Sequence, residues 1–477
     1  MYRFFRGPFF NFEVLRVLST IGAGGAELAE CLDAISQITD DDPESWHVAW
    51  RAQARRAESF AEEAQSRGDH ASARDALLRA SNYTRASYYM LTGDGALRPD
   101  PRVSSLCRHA CDLYRQATAF FDPAIASVVP LEIPYNHHGS AHTLPGYLYL
   151  PPAWRYRPGR APPVVIANAG ADSLCEEVAF FIAPFALEKG YAVVVHEGPG
   201  QGRSLHQHGL TFRPDWEAVT GSVIDHLYSL QPRPGAPASD GPLEPQSQPQ
   251  SQPQPNCRLD LDHIAVMGMS LGGYFALRAA ASDSRIAACV AIDPVHDLWD
   301  HATTQIPAWF VRAWSCGWIG QSTVDAVIGV LSRVSFQMRW NMAICGTFFG
   351  LASPAQIVQA MKAYTLREST AEAGTAVEVE QEADGKPCGS RLRKIRCPVF
   401  VSGAGASLYD LAAAGHTAAI YEGLSHLPPA QRQLWLAQEP GEGGLQAKVG
   451  AVKLCNQKVF AFLDEQFGIE RAGSRGK

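Results

Sequence analysis

Five short, unbroken apolar runs, separated by stretches of helical pattern, constrain this chain more than any other feature. They read VVIAN (164–168), AVVVH (192–196), HIAVMG (263–268), AACVAI (287–292) and PVFVS (398–402). Strands that are apolar at every position have both faces covered, and their alternation with helices makes a parallel sheet between helical layers. The expectation is an α/β core. The chain has 477 residues, 46% of them hydrophobic, so it can bury such a core with further structure around it.

The texture on either side of these runs suggests how the rest is arranged. Residues 1–125 read as a helical domain. Asp42 can cap a helix that Pro43 opens, and Leu106, Ala110, Leu113, Ala117 and Phe121 recur at helical spacing to give one apolar stripe. LEIPY and GYLYLP, joined by NHHGSAHTLP, predict a hairpin. The core is then expected over 126–299 and 393–470. Residues 231–257, rich in Pro and Gln, read as a disordered surface loop, and 367–392 as a linker. Between the core segments, 300–366 is helical and aromatic (Trp309, Trp314, Trp318, Trp340, Phe348, Phe349). Such an insertion either packs a core of its own or roofs a substrate pocket as a lid.

Several function classes fall away on composition. A net charge of −7 offers no basic field for nucleic acid. No apolar run approaches the roughly 20 residues that span a bilayer. The apolar opening MYRFFRGPFFNFEVLR breaks at Gly7 and Pro8, so no cleavable leader is expected. Eleven scattered cysteines without a Cys-x-x-Cys pair predict reduced thiols and a cytoplasmic protein.

The chemistry centres on Gly268-Met269-Ser270-Leu271-Gly272-Gly273, which follows the strand HIAVM and precedes the helical pattern YFALRAAA. Gly-x-Ser-x-Gly between strand and helix makes a nucleophile elbow: a tight turn lifts the Ser270 hydroxyl above the sheet and aims the N–H of Leu271 at the same point. The N–H of Ala171, in the loop after VVIAN, is the expected second oxyanion donor. Gly198-Pro199-Gly200-Gln201-Gly202 lacks the Lys-Ser/Thr ending of a phosphate loop and reads as a strand-end turn. The histidines at 137, 138, 142, 206 and 208 lack a companion ligand set, so neither metal nor cofactor is expected.

A serine nucleophile needs an imidazole to take its proton and a carboxylate to orient that imidazole. After PVFVS, Ala406 occupies the place where the acid is expected, and Asp410 lies four residues on. Asp293, at the end of AACVAI, is the favoured alternative. His426 is the candidate base if AAIYEGL (418–424) is the last strand; if RQLWLAQ (432–438) is that strand, His426 falls at the opposite edge of the sheet.

Gly170-Ala171-Asp172-Ser173, Glu197-Gly198-Pro199-Gly200-Gln201-Gly202, Phe212-Arg213-Pro214-Asp215-Trp216-Glu217 and the Ser270 elbow together resemble α/β-hydrolases with an N-terminal helical domain. That group includes the bacterial dihydroxypseudooxynicotine hydrolase. FNFEVLRVLS, DDPESWHVAW, RASNYTRASYY and GEGGLQAKVGA resemble the fungal hydrolases encoded in fusarin and cytochalasan clusters. The resemblance covers nearly the whole chain. It implies an α/β-hydrolase fold and a tailoring role on an apolar polyketide–amino-acid intermediate at formation of its pyrrolidone or pyrrolinone ring. It also implies homodimerisation through the N-terminal helices, and a histidine in the bacterial relatives where this chain has Gly443-Gly444-Leu445. Three readings stand: a working serine hydrolase, a cyclase that uses the oxyanion hole without hydrolysis, and a non-catalytic partner in a biosynthetic assembly.

Overall fold

The computed structural model describes residues 3–93, 100–152, 155, 161–231, 258–304, 306–368, 390–409, 411 and 415–471. The Pro/Gln segment from 232, most of the expected linker and Asp410 lie outside these residues.

The N-terminal helices are α1 (Pro8–Leu18), α2 (Leu28–Ser36), α3 (Pro43–Ser66), α4 (His70–Tyr89) and α5 (Arg102–Thr118). The Asp42 carboxylate accepts from the backbone N–H of Glu44, and Pro43 occupies the first turn, as the sequence predicts. Ala110, Leu113 and Ala117 are buried along α5. Strands β1 (Ser127–His137) and β2 (Ser140–Leu150) form the predicted hairpin, longer than the apolar runs alone suggested. Only His138 and Gly139 separate them, both with positive φ, which matches the twist of a tight hairpin turn.

The α/β core then runs β3 (Pro163–Asn168), α6 (Cys175–Glu188), β4 (Ala192–His196), α7 (Gly202–His206), α8 (Glu217–Ser229), β5 (Asp260–Met269), α9 (Leu271–Ser282) and β6 (Ile286–Ile292). The insertion follows as α10 (Leu298–Thr303), α11 (Ala308–Ser315), α12 (Gln321–Val334), α13 (Phe336–Phe349) and α14 (Pro354–Ala360). The chain closes with β7 (Val399–Ala404), α15 (His416–Gly423), β8 (Arg432–Ala437) and α16 (Val452–Gln466). AAIYEGL is therefore helix and RQLWLA is strand.

The eight strands form one sheet in the order β1-β2-β4-β3-β5-β6-β7-β8. Pairing is antiparallel from β1 to β4 and parallel from β4 to β8. Every residue of β3, β4 and β7 is buried, as expected of strands covered on both faces. On one face of the sheet, Val164, Ile166 and Val266 pack with α8 and α9. On the other, Val165, Val193 and Met267 pack with α6 and α16. β5, which delivers Ser270, is central.

The insertion packs a core of its own and also joins that of the N-terminal helices. Trp314 packs with Val324, Ile328 and Met342 in a cluster of its own. Trp340 joins the N-terminal aromatic core of Phe9, Phe10 and Trp46, and its Nε1–H donates to the Tyr89 carbonyl at 2.6 Å. Trp309 and Trp318 are exposed.

Candidate active site

Ser270 sits at φ 54° and ψ −121°, a conformation that L-residues rarely adopt. The turn is cramped because two glycines let backbone meet backbone. A Cβ on Gly268 would lie 1.9 Å from the Gly272 carbonyl oxygen, and one on Gly272 would lie 2.6 Å from that of Asn168. Ser270 donates its own N–H to the Ile292 carbonyl at 2.8 Å, tying the turn to the next strand. The N–H of Leu271 begins α9 and belongs to the first turn, whose donors have no partner within the helix.

Above this turn lies a cavity of about 960 Å³. Ser270, Leu271 and Ala171 line it from the sheet edge; Phe348, Phe349 and Trp340 line it from the insertion. Glu13 and Arg16 reach it from α1, so the N-terminal helices build the site as well as flank it.

The loop after β3 that carries Ala171 is clamped from two sides. Gln201 donates its Nε2 to the carbonyls of Ala169 and Gly170 (3.0 and 2.7 Å), and its Oε1 accepts from the N–H of Gly198. From the other side, Arg16 donates to Asp172 (2.7 Å), Ser173 (3.1 Å) and both carboxylate oxygens of Glu177 (2.7 and 2.6 Å). Tyr89 donates a short hydrogen bond to Asp172. Burial pushes the Asp172 carboxyl up, but Arg16 and Tyr89 outweigh it and hold it below the usual range. Trp216, stacked on Phe275 with centroids 3.7 Å apart, donates to the Asn168 side chain at 2.9 Å. The segments that carried the family resemblance thus meet around one loop.

The triad expected from the sequence is not assembled. His426 lies between α15 and β8, with its Nε2 2.8 Å from the carbonyl of Ile395, just before β7. That is the N-terminal edge of the parallel strands, whereas Ser270 sits at the C-terminal edge. The candidate base is corrected: the strand is RQLWLA, which reverses the edge on which His426 falls.

Asp293 does end β6 at the correct edge, with φ 47° and about 1% exposure. Its Oδ1, however, lies 2.8 Å from Lys448 Nζ and accepts from the Ser402 hydroxyl at 2.8 Å. Burial raises its carboxyl pKa, and Lys448 opposes that shift. Lys448 is fully buried, donates also to the Gly403 carbonyl at 3.0 Å and stands 4.5 Å from the Trp435 ring centroid. The carboxylate expected to orient an imidazole is therefore bound to an ammonium.

Lys448 comes from the loop after β8, where the order nucleophile, acid, base puts the proton acceptor. The same loop offers Gln446 and Ala447 to the cavity. Gln446 donates to the Asp293 carbonyl at 3.0 Å and accepts from Ser407 at 2.8 Å. Sequence reading overlooked Lys448 because it sought an imidazole; its place after the last strand was the available signal. Of the six described non-glycine residues with positive φ, four are Ser270, Asp293, Ala447 and Lys448, so backbone strain gathers here. Among the described residues, His301 on α10 is the histidine lining the cavity. Burial and the nearby His416 push it down to about 4, so it is neutral near pH 7.

As for metals, His137, His138 and His142 crowd one another at the hairpin turn. Among the described residues the grouping with ligand-like spacing is Cys111, Glu176 and Glu197, all buried. Glu176 accepts from the Tyr147 hydroxyl and the Cys175 thiol, and Glu197 accepts from the N–H groups of Arg203 and Ser204. Burial and the charge of Glu176 push Glu197 up to about 8. A proton on Glu197 thus relieves this carboxyl pair.

A central serine elbow at the carboxyl edge of a mostly parallel sheet, under a helical insertion, defines an α/β-hydrolase. Residues 128–440 match the family of X-Pro dipeptidyl-peptidase (S15 family). Hydrolase ORFZ of Pyricularia oryzae is 46% identical over 471 residues, covering 99% of each chain, and hydrolyase ccsE of Aspergillus clavatus is 45% identical over 478 residues with the same coverage. The chain belongs to this family of fungal secondary-metabolite hydrolases within the α/β-hydrolases. The crystal structure of the 2,6-dihydroxy-pseudo-oxynicotine hydrolase shares the fold, with a TM-score of 0.63 at 17% identity over 95% of this chain and 97% of that one. No helix among the described residues is long and apolar enough to cross a membrane.

Proposed function

We propose that this protein closes the pyrrolinone ring of a polyketide–amino-acid intermediate by intramolecular condensation, using a hydrolase scaffold without hydrolysis. The observation that carries the reading is the bond between Asp293 and Lys448: the carboxylate that would orient a catalytic imidazole is already taken. His426 is held by the Ile395 carbonyl, and among the described residues no hydrogen bond joins Ser270 to an imidazole, so attack by the Ser270 hydroxyl lacks a positioned general base. Leu271 and Ala171 line the cavity together with Ser270, and their N–H groups would serve as its oxyanion donors. Such donors stabilise negative charge on a carbonyl oxygen whatever nucleophile attacks the carbon.

The substrate class follows from the cavity and the family. About 960 Å³ of space, roofed by Phe348, Phe349 and Trp340, suits an apolar polyketide-derived molecule folded on itself. Holding the two reacting carbons of one folded molecule close together restricts its internal rotations and lowers the entropic cost of ring closure. The protein works in the cytoplasm on this reading, where the cysteines that are unpaired among the described residues stay reduced.

Serine hydrolysis remains as the second reading, because the strained φ of Ser270 is the geometry of a nucleophile. The two separate in one experiment. N-acetoacetyl-phenylalaninal carries an active methylene and an aldehyde that together close a five-membered pyrrolinone with loss of water. The unmodified protein should accelerate that closure while Ser270 resists a fluorophosphonate. Rapid labelling of Ser270 without acceleration of closure returns the protein to the serine hydrolases.

A further inference from the structure

We propose that Glu13, on the first N-terminal helix, is the proton-transfer group of this cavity, taking and returning the protons that ring closure moves. The inference rests on the ring-closure reading and names the residue that reading lacks.

Glu13 belongs to α1, far in sequence from the elbow, yet it lines the same cavity as Ser270 and Ala171. It is about 2% exposed, and its Oε1 has no hydrogen-bond partner. Its Oε2 has one long contact, 3.4 Å from Arg16 Nη1. A buried carboxylate oxygen without a partner is costly, and its lone pairs are free to take up a proton.

The surroundings drive apart the acidities of a pair of carboxyls that share one arginine. Asp172 takes the short contacts from Arg16 and Tyr89 and stays ionised. Glu13 is left with the weak contact, and burial pushes it up to about 7. The charged groups facing it are Arg16 on its own helix, Arg85 from α4, Asp172 from the loop after β3 and Glu177 from α6, and the neutral phenols of Tyr89 from α4 and Tyr409 from beyond β7 face it too. The two arginines favour its charged form; Asp172 and Glu177 oppose it. A carboxyl poised near neutral pH can accept and donate within one turnover, and paired groups separated in this way commonly mark acid and base roles.

The steps balance without an oxidant or any further reactant. The Glu13 carboxylate takes one proton from the methylene between two carbonyls, and the resulting carbanion forms the C–C bond to the aldehyde carbon. The aldehyde oxygen, held by the N–H groups of Leu271 and Ala171, receives that proton back from Glu13 and becomes a hydroxyl. Glu13 then takes the second methylene proton; the C–O bond breaks, and the departing hydroxide leaves as water with the proton from Glu13. One water is released and Glu13 ends as it began.

The test uses the full chain, N-acetoacetyl-phenylalaninal, and the variants Glu13→Gln and Glu13→Ala. Glu13→Gln should lower the turnover number on the order of a hundredfold or more with KM within a few-fold, and abolish the inflection near pH 7. A purely structural Glu13 would leave that inflection in place. Formate added to Glu13→Ala should restore some of the turnover in proportion to its concentration, which guards against loss by misfolding. Closure by Glu13→Gln within a few-fold of the parent, or an unchanged inflection, overturns the role of Glu13 and leaves the ring-closure reading intact. If the unmodified protein does not accelerate closure, the reading itself falls and Glu13 with it.

Discussion

Two loops at the carboxyl edge of the sheet invite comparison, the turn after β5 and the loop after β8. The first keeps the geometry of a nucleophile elbow, with Ser270 at φ 54° and glycines on either side. The second occupies the place of a catalytic base, yet it buries Lys448 against Asp293 and offers the cavity Gln446 and Ala447. A fold can hold on to its electrophile-binding half while its proton-abstracting half becomes an internal brace. If so, Lys448→Met should act on stability first. It would leave the Asp293 carboxylate buried with its main counter-charge gone, a change that typically costs about 3–5 kcal/mol. Denaturant unfolding reads this directly. Because both partners of a buried pair can be exchanged for apolar groups at little cost, adding Asp293→Leu to Lys448→Met should recover much of the loss. A loss below about 1 kcal/mol in the single variant would mean that the pair braces nothing.

At the elbow the ranking reverses, with activity hit and stability spared. Ser270→Ala should fold as the parent does, since the hydroxyl faces the cavity. Removing one polar group that steadies a developing oxyanion should slow ring closure by roughly a hundredfold or more. Rates within a few-fold of the parent would detach the chemistry from the elbow altogether.

The same contrast explains what could be read from the sequence. The elbow is local: strand, glycine, serine, glycine and helix follow one another within a short stretch, so pattern alone located it. The five apolar runs were equally local, and all of them became strands. The clamp on the Ala171 loop was half visible, because Asp172, Ser173, Gln201 and Arg16 all stood in segments of family likeness with no stated purpose. Other groups around the site were hidden for a physical reason. Asp293 meets Lys448, and Glu13 reaches the cavity, only after long-range packing, and nothing in the run FNFEVLR marks its glutamate as a cavity group. The choice between AAIYEGL and RQLWLA also misleads at the level of pattern. Both are short and apolar, and β8 is an edge strand with Leu434 and Leu436 exposed, so the usual burial signal is weak.

Proton balance offers a gentler probe of the interior around the site. His196, at the end of β4, is fully buried, and desolvation pushes it down to about 4. The unfolded chain therefore binds a proton at this residue between the ordinary histidine value and about 4, while the folded chain does not. Stability contributed by the neutral ring is present above the ordinary value of about 6.5 and is lost as pH falls towards about 4. The full effect is on the order of 3 kcal/mol. Glu13 and Glu197 run the other way: held protonated up to about 7 and about 8, they favour the fold at low pH and lose that contribution as pH rises. Comparing the parent with His196→Gln isolates the histidine term. The variant's stability should fall less steeply on acidification, and parallel curves would show that His196 is protonated in the fold.

The smallest effect is expected at His426, and its smallness sharpens the contrast between the loops. His426 lies at the amino edge of the sheet, fixed by one hydrogen bond to the Ile395 carbonyl. His426→Ala should cost about 1 kcal/mol of stability, the net worth of one such bond, and leave ring closure within about twofold of the parent. The edge of the sheet decides this outcome. In an open parallel sheet the strand carboxyl ends meet at the ligand crevice, while residues at the amino ends are separated from it by the length of the strands. Were His426→Ala to slow the reaction as far as Ser270→Ala, the imidazole would have to reach the cavity in the working protein. The β8 loop would then have to be rebuilt to release Asp293 from Lys448.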